Sequence, residues 1–190
     1  QLFKDESPFA LENPSYDKIR AVYEAFGISC DMLSLRKDGI DSYELKNTKA
    51  RILHTTPFNS FPSGVTVGVS KKHEYLNWAE DRRGIIIEDN YDSELTVSHK
   101  AEESLYAMAG GKNVIYINTF SQTISPSVRI GYMLLPKSMV SLFNKRLGFY
   151  SCPVPVFEQY VLCDLIDSGD FERHINRVRR QKRKNINIHY

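Results

Sequence analysis

Two stretches of the chain, "GIIIED" (84–89) and "NVIYINTF" (113–120), are unbroken apolar runs rich in β-branched residues. A strand with one wet face alternates apolar and polar residues, so a continuous run describes a strand buried on both faces, as in a parallel sheet covered by helices. Parallel neighbours need long crossover connections, and helix-like text separates the strand-like segments here. "NPSYDKIRAVYEAFG" sets Ile19, Val22, Tyr23 and Phe26 at helical spacing ahead of Gly27, which predicts a helix over 15–26. "ISCDMLSLRKDGI" reads as a strand and a turn, "DSYELKN" as a short helix, and "ARILHTT" and "RIGYMLLP" as further strands. Ser70 stands where it can cap a helix "KKHEYLNWAEDRR" that stops at Gly84. From Ser138 onward the text is helical. The expected architecture is α/β, a mostly parallel sheet flanked by helices, with residues 1–150 as its core and 151–190 as a helical segment leading away from it.

Composition excludes more than it selects. The formal net charge is only +2, too mild to argue for nucleic acid, and no apolar run approaches the roughly 20 residues that span a bilayer. Gln1 opens no signal-peptide pattern, so the reading is cytoplasmic. Cys30, Cys152 and Cys163 lie far apart without a CxxC pair, which predicts buried, reduced thiols. His54, His73, His99, His174 and His189 have no metal-ligand spacing and read as structural or exposed. "FPSGV" lacks the G-x-S-x-G elbow of a hydrolase. The basic stretch Arg173 to Lys184 reads as a solvated helix face, and the C-terminal text carries no glycine or proline stop, which suggests a piece of a longer chain.

In open α/β sheets ligands gather at the carboxyl ends of strands, so polar residues just past an apolar run are the first candidates for a site. "EDNYDSE" (88–94) follows one run and "TFSQTISPSVR" (119–129) the other. A carboxylate and a phenol two residues apart, with hydroxyls and an arginine at the second strand end, suit a ligand that has a basic ring nitrogen and a phosphate. Pyridoxal phosphate is such a ligand. An aspartate keeps its ring nitrogen protonated, and an arginine with Ser/Thr hydroxyls holds its phosphate.

The motifs occur in a familiar order. "NPSY" is similar to D/E-P-G-Y, "TTPFNSFPSG" to T-P-S-H-Q-F-P-[ST]-G, "IIIEDNYDSE" to I-I-E-D-D-Y-D-S-E, and "YINTFSQTISPSVRIGYMLLP" to Y-x-G-T-F-S-K-x-x-x-P-x-x-R-x-x-Y-x-x-x-P. Over nearly its whole length the chain resembles the aminotransferase-like domain of the MocR/GabR subfamily of GntR-type transcription regulators, within the fold-type-I superfamily that uses pyridoxal phosphate. The resemblance implies that Asp89 pairs with the ring nitrogen, Tyr91 donates to the ring hydroxyl, Tyr16 stacks on the ring, and Thr119, Ser121 and Arg129 hold the phosphate, and that residues 151–190 lead to a small C-terminal domain not among these residues. Asn90 departs from the pattern at a position expected to point away from the ring. Gln122 departs where the Schiff-base lysine should stand. An amide can neither form the covalent link to the cofactor nor act as the base that moves a proton. The cofactor would then bind noncovalently, or already joined to an amino acid as an external aldimine.

Three functions stay open on the sequence. One is the effector-sensing, dimerising domain of a transcription regulator, with an amino acid or amine as effector, a homodimer as its assembly, and DNA reached only through an N-terminal winged helix that these residues do not include. The second is a free-standing aminotransferase, or a fragment of one, with its lysine replaced. The third is a scaffold that has lost the cofactor. Phe61 ahead of Pro62 matches the regulators, where free-standing aminotransferases usually carry N-P-x-G.

Overall fold

The computed structural model describes residues 2, 3, 5, 6, 8–91, 93–95 and 103–187. Seven strands among them form one sheet: β1 (Phe9–Asn13), β2 (Cys30–Arg36), β3 (Gly39–Ile40), β4 (Ile52–Thr55), β5 (Ile85–Asp89), β6 (Val114–Thr119) and β7 (Gly131–Leu134). Their order across the sheet is β3-β2-β1-β4-β5-β6-β7. The four central pairings are parallel, and only the outermost strands, β3 and β7, run antiparallel to their neighbours. The helices are α1 (Asp17–Ala25), α2 (Ser42–Asn47), α3 (Val69–Arg82), α4 (Leu105–Met108), α5 (Phe120–Thr123), α6 (Val140–Leu147), α7 (Val156–Asp167) and α8 (Asp170–Asn187).

Side chains alternate between the two faces of each strand, so the register sorts them. Ala10, Leu53, Ile86 and Val114 point to one face and pack with Leu45 of α2, Tyr75, Trp78 and Ala79 of α3 and Leu105 of α4. Phe9, Ile52 and Ile87 point to the other, with Ile28 and the Tyr23 ring of α1. A fully buried aliphatic contributes roughly 1.5–3 kcal/mol, so most of the packing energy sits in the larger cluster, on the α3 side.

Polar residues are buried among them. Glu12 is 1% exposed and accepts hydrogen bonds from the Thr55 hydroxyl, the Thr56 amide (3.0 Å) and the Ser60 hydroxyl (2.8 Å), so it pins the chain as it leaves β4. Glu88, fully buried near the end of β5, accepts from the Leu105 and Tyr106 amides at the start of α4. Burial pushes both carboxyls above their ordinary range, and their hydrogen bonds only partly pull them back.

Several local expectations are corrected. Gly68, with extended backbone, precedes α3, and Ser70 lies within that helix rather than capping it. The first helix is shorter than the spacing suggests and buries none of its residues outright. β1 was not anticipated. The cysteines are not buried: Cys152 is exposed in the segment before α7, Cys163 is exposed on α7, which has no buried residue, and Cys30 is half-buried at the start of β2. His99 and His189 fall outside the described residues, as do the side chains of Lys182 and Arg183. No helix among those described is long and apolar enough to cross a membrane.

Glu12 gives this fold a test. Its folded-state pKa is raised, so its contribution to stability is complete below the unfolded value of about 4.3 and is lost as pH climbs through the folded one. Urea midpoints measured from pH 4 to 8 should fall less steeply with rising pH in Glu12→Gln than in the wild type; equal slopes would place the titration elsewhere.

Candidate functional site

A cleft of about 490 Å³ opens at the carboxyl ends of the central strands. Tyr16, Asp89, Tyr91, Thr119, Ser121, Gln122 and Arg129, all seven residues singled out by sequence, line it together. Thr56, Ile19 and Phe61 complete the wall and were missed. The sheet explains the convergence. Asp89 is the last residue of β5 and Thr119 the last of β6; Ile117 is the parallel partner of Asp89, so both side chains leave the same face.

One end of the cleft is rich in donors. The Thr119 hydroxyl accepts from the Ser121 amide at 3.2 Å and lies 3.1 Å from both Ser121 Oγ and the Ile130 carbonyl. Ser121 Oγ donates to the Val128 carbonyl (2.7 Å) and accepts from Arg129 (3.2 Å). This web folds the 124–130 loop back onto α5 and brings the guanidinium to the pocket. Among the described residues no carboxylate pairs with Arg129, which leaves guanidinium donors for an anion.

The other end holds Asp89. His54, on the neighbouring strand, lies opposite Ile87 and therefore on the same face as Asp89; its Nε2 stands 3.6 Å from the Asp89 carboxylate. That is an electrostatic contact rather than a hydrogen bond. Behind it the Tyr23 hydroxyl sits 2.8 Å from His54 Nδ1. Burial, with Cys30 and Asp89 nearby, raises the Tyr23 phenol well above its usual value, so it stays protonated and can donate to Nδ1. The proton of a neutral His54 is then on Nε2, aimed at Asp89. Sequence reasoning set His54 aside for want of metal-ligand spacing. Its signal was its place, one histidine inside the apolar strand text "RILHTT".

The Tyr16 and Phe61 rings meet edge to face, 6.0 Å between centroids, at the mouth of the cleft. Tyr91 donates to the Asn59 carbonyl at 2.8 Å. Asn90 is buried beside Glu88, on the face away from Asp89, as expected. Gln122 is exposed to the cleft. The set suits a flat ring with a basic nitrogen at one end and a phosphate at the other. It offers no amine at position 122 for a covalent link. A larger cavity, about 590 Å³ beside α8, has Arg173 and Arg177 in its wall, but Arg173 is committed to Asp170 and Arg177 to His174. No cluster of metal-ligating side chains occurs among the described residues.

No family model matches the chain. Its sequence relatives include the HTH-type transcriptional regulator YdeL of Bacillus subtilis, 29% identical over 97% of this chain and 40% of that protein. They also include the pyridoxine biosynthesis regulator PdxR of Corynebacterium glutamicum, 26% identical over 94% of this chain and 39% of that one. A third is MocR of Rhizobium meliloti, a probable rhizopine catabolism regulatory protein, 26% identical over 90% and 34%. The chain thus spans about two fifths of the curated relatives it matches. In structure it is similar to the kynurenine aminotransferase of Pyrococcus horikoshii, with TM-score 0.78 and 25% identity over 94% of this chain and 48% of that one. It is also similar to LysN, an α-aminoadipate aminotransferase of Thermus thermophilus, with TM-score 0.75 and 25% identity over 94% and 49%. The expected fold therefore stands, and it is the fold-type-I fold of these aminotransferases. The resemblance to MocR-type regulators is met by relatives of that kind.

The Tyr23 and His54 pair can be tested without any ligand. Tyr23→Phe leaves a buried ring nitrogen without its donor and should cost about 1–3 kcal/mol in urea unfolding. Adding His54→Leu should recover part of that loss; strictly additive costs would show that the two side chains do not interact.

Proposed function

We propose that this chain is the effector-sensing, aminotransferase-like part of a cytoplasmic transcription regulator, which holds pyridoxal phosphate reversibly and does not turn over amino groups. The observation that carries the reading is the convergence of Asp89, Tyr91 and the Thr119, Ser121 and Arg129 web on one cleft whose remaining key position is Gln122. The regulators among the sequence relatives support it.

Bound there, the cofactor would supply an aldehyde that captures amines and a ring that withdraws electrons from them. Asp89, backed by His54, would hold the proton on the ring nitrogen. Thr119, Ser121 and Arg129 would clamp the phosphate, Tyr91 would orient the ring through its hydroxyl, and Tyr16 would cover one ring face. Gln122 can hydrogen-bond a ligand, but its amide nitrogen has no basic lone pair and can carry no proton away. The site would then recognise an amino acid or amine and stop. A regulator needs no more, provided the ligand binds two arrangements of the protein with different affinity.

Titration of the protein with pyridoxal phosphate should give saturable binding. Arg129→Ala should weaken it about tenfold to a hundredfold, the scale of about 1.5–3 kcal/mol for a hydrogen bond to a charged group. After borohydride, peptide mapping should find a phosphopyridoxyl mass on residue 122 only in Gln122→Lys. Amino-group exchange at an enzyme-like rate by the Gln122 protein would overturn the reading in favour of an aminotransferase that uses another base.

Assembly as a homodimer belongs to the same proposal. Phe157 and Tyr160 of α7, with Phe149 and Tyr150 just before it, are 59–77% exposed, and large aromatics left open in this number suit a subunit interface. Contact with DNA would fall to an N-terminal winged helix in the longer regulator. Light scattering on that longer protein should give a dimer mass that Phe157→Glu shifts toward the monomer; an unchanged mass would move the interface elsewhere.

A further inference from the structure

We infer that His174 is a positioning residue for Gln122, and that through it and Arg179 α8 is tied to both strand-end loops of the cleft. α5, which carries Gln122, is only four residues long. So short a helix cannot hold its own direction, because one turn fixes several dihedrals for very few hydrogen bonds and leaves its last carbonyls without partners. Within it the Ile124 amide bonds the Phe120 carbonyl. At its C-terminal end the Thr123 carbonyl, next to Gln122, receives His174 Nε2 at 2.8 Å. A carbonyl only accepts, so Nε2 carries the proton. On the other side of the ring an Arg177 nitrogen stands 3.2 Å from Nδ1, and a guanidinium only donates. The two contacts select one neutral tautomer and fix the ring plane. Phe171, one helical turn earlier, meets the Phe120 ring edge to face at 5.8 Å, and Ile175 is buried between these contacts.

The same helix reaches the second loop. Arg179 Nε donates to the Glu94 carbonyl at 2.6 Å. The Glu94 carboxylate is held in turn by Asn118 (2.7 Å) and the Tyr132 hydroxyl (3.1 Å), so this loop, which follows Asp89 and Tyr91, is fastened to β6, β7 and α8 at once. His174 and Arg179 are about 7.5 Å apart along the helix axis at 1.5 Å per residue, enough to bridge the ends of two neighbouring strands. A ligand that draws on Gln122 and Tyr91 therefore pulls on two points of one helix, and a shift of that helix is felt at both. This coupling rests on the reading of the cleft as a ligand site, whereas the positioning of Gln122 does not.

Amide hydrogen exchange on the wild type, His174→Ala and His174→Gln separates the two. Without ligand, His174→Ala should speed exchange at 121–124 at least tenfold while the amides of β4, β5 and β6 keep their protection, which also reports that the variant folds. Gln offers an N–H of similar reach and should restore protection. With pyridoxal phosphate added, the wild type should gain protection in both 119–130 and 173–180, and a double variant, His174→Ala with Arg179→Ala, only in 119–130. Unchanged exchange at 121–124 in His174→Ala would overturn the positioning role, and ligand protection of α8 that survives in the double variant would overturn the coupling. If the ligand protects no segment of any protein, the cleft reading fails while the ligand-free comparison still decides the role of His174. Nitrogen-15 spectra of the wild type alone add a check that needs no variant: a neutral Nε2–H tautomer at His174 is expected, and a neutral Nδ1–H tautomer would remove the bond to Thr123.

Discussion

Ile87 lies opposite His54 on one side and Ile115 on the other, across two parallel ladders. That double registration decides where every polar group at the cleft falls. Two residues on from Ile87 comes Asp89; four on from Ile115, and two on from Ile117, comes Thr119; both emerge on the face that His54 occupies. A slip of one residue in β5 would exchange Asp89 for Glu88, which would turn a cleft-facing carboxylate into the core and expose the one that fastens α4. The apolar runs that make β5 and β6 buried strands are thus also what places the site, since their β-branched side chains on both faces leave the register little freedom.

The residues between carry the connections. Glu12 and Glu88 occupy the penultimate positions of β1 and β5; Glu12 accepts hydrogen bonds from the chain leaving β4, and Glu88 from the start of the helix that leads into β6. A carboxylate suits this task because it is acceptor-only and can receive several donors at once. Desolvation works against it, as the raised pKa of both groups records. Such groups add little net stability compared with apolar packing, yet losing one partner leaves a buried donor unsatisfied, so they specify loop geometry more than they hold the fold together. The main packing lies on the α3 side, and the cleft side has the smaller apolar cluster. The cleft therefore lies on the face with the smaller apolar cluster, where local opening costs less, as it usually does for elements that respond to ligands.

Much of this was legible in the sequence, for a physical reason. Strand-end polar residues are local features, since a buried run, its end and the loop chemistry just beyond it are adjacent in the chain; the six site residues that lie in those two stretches line one cleft, joined by Tyr16, which only the resemblance pointed to. What was not legible depends on pairing across strands or helices. His54 looks like a stray polar residue in an apolar strand until β5 is set beside it. Glu12 looks like a surface carboxylate, and with it β1 was overlooked, because "FALEN" is short and ends in polar residues. His174 sits in the basic helical text read as a solvated face, and only the fold puts it against Thr123. Cys163 was misjudged because general burial tendencies take no account of a helix whose apolar surface finds little cover within these residues.

Gln122 itself bears on how such a site can lose one function and keep another. The hydrogen bonds that shape the pocket run through Thr119, Ser121, Arg129, Glu94 and Asn118, and none of those described involves the side chain at 122. That side chain projects into the cleft, while α5 beneath it is held by backbone and by His174. Exchanging a lysine for a glutamine there takes away a basic amine and leaves the scaffold unstrained. Catalysis by a cofactor of this kind requires a group that reacts, whereas recognition requires only donors and acceptors at fixed positions. On the proposed reading the chain has given up the first at a single position whose loss the rest of the structure does not feel, and what it retains is enough to turn ligand binding into a shift between two conformations, in proportion to the difference in affinity and no further.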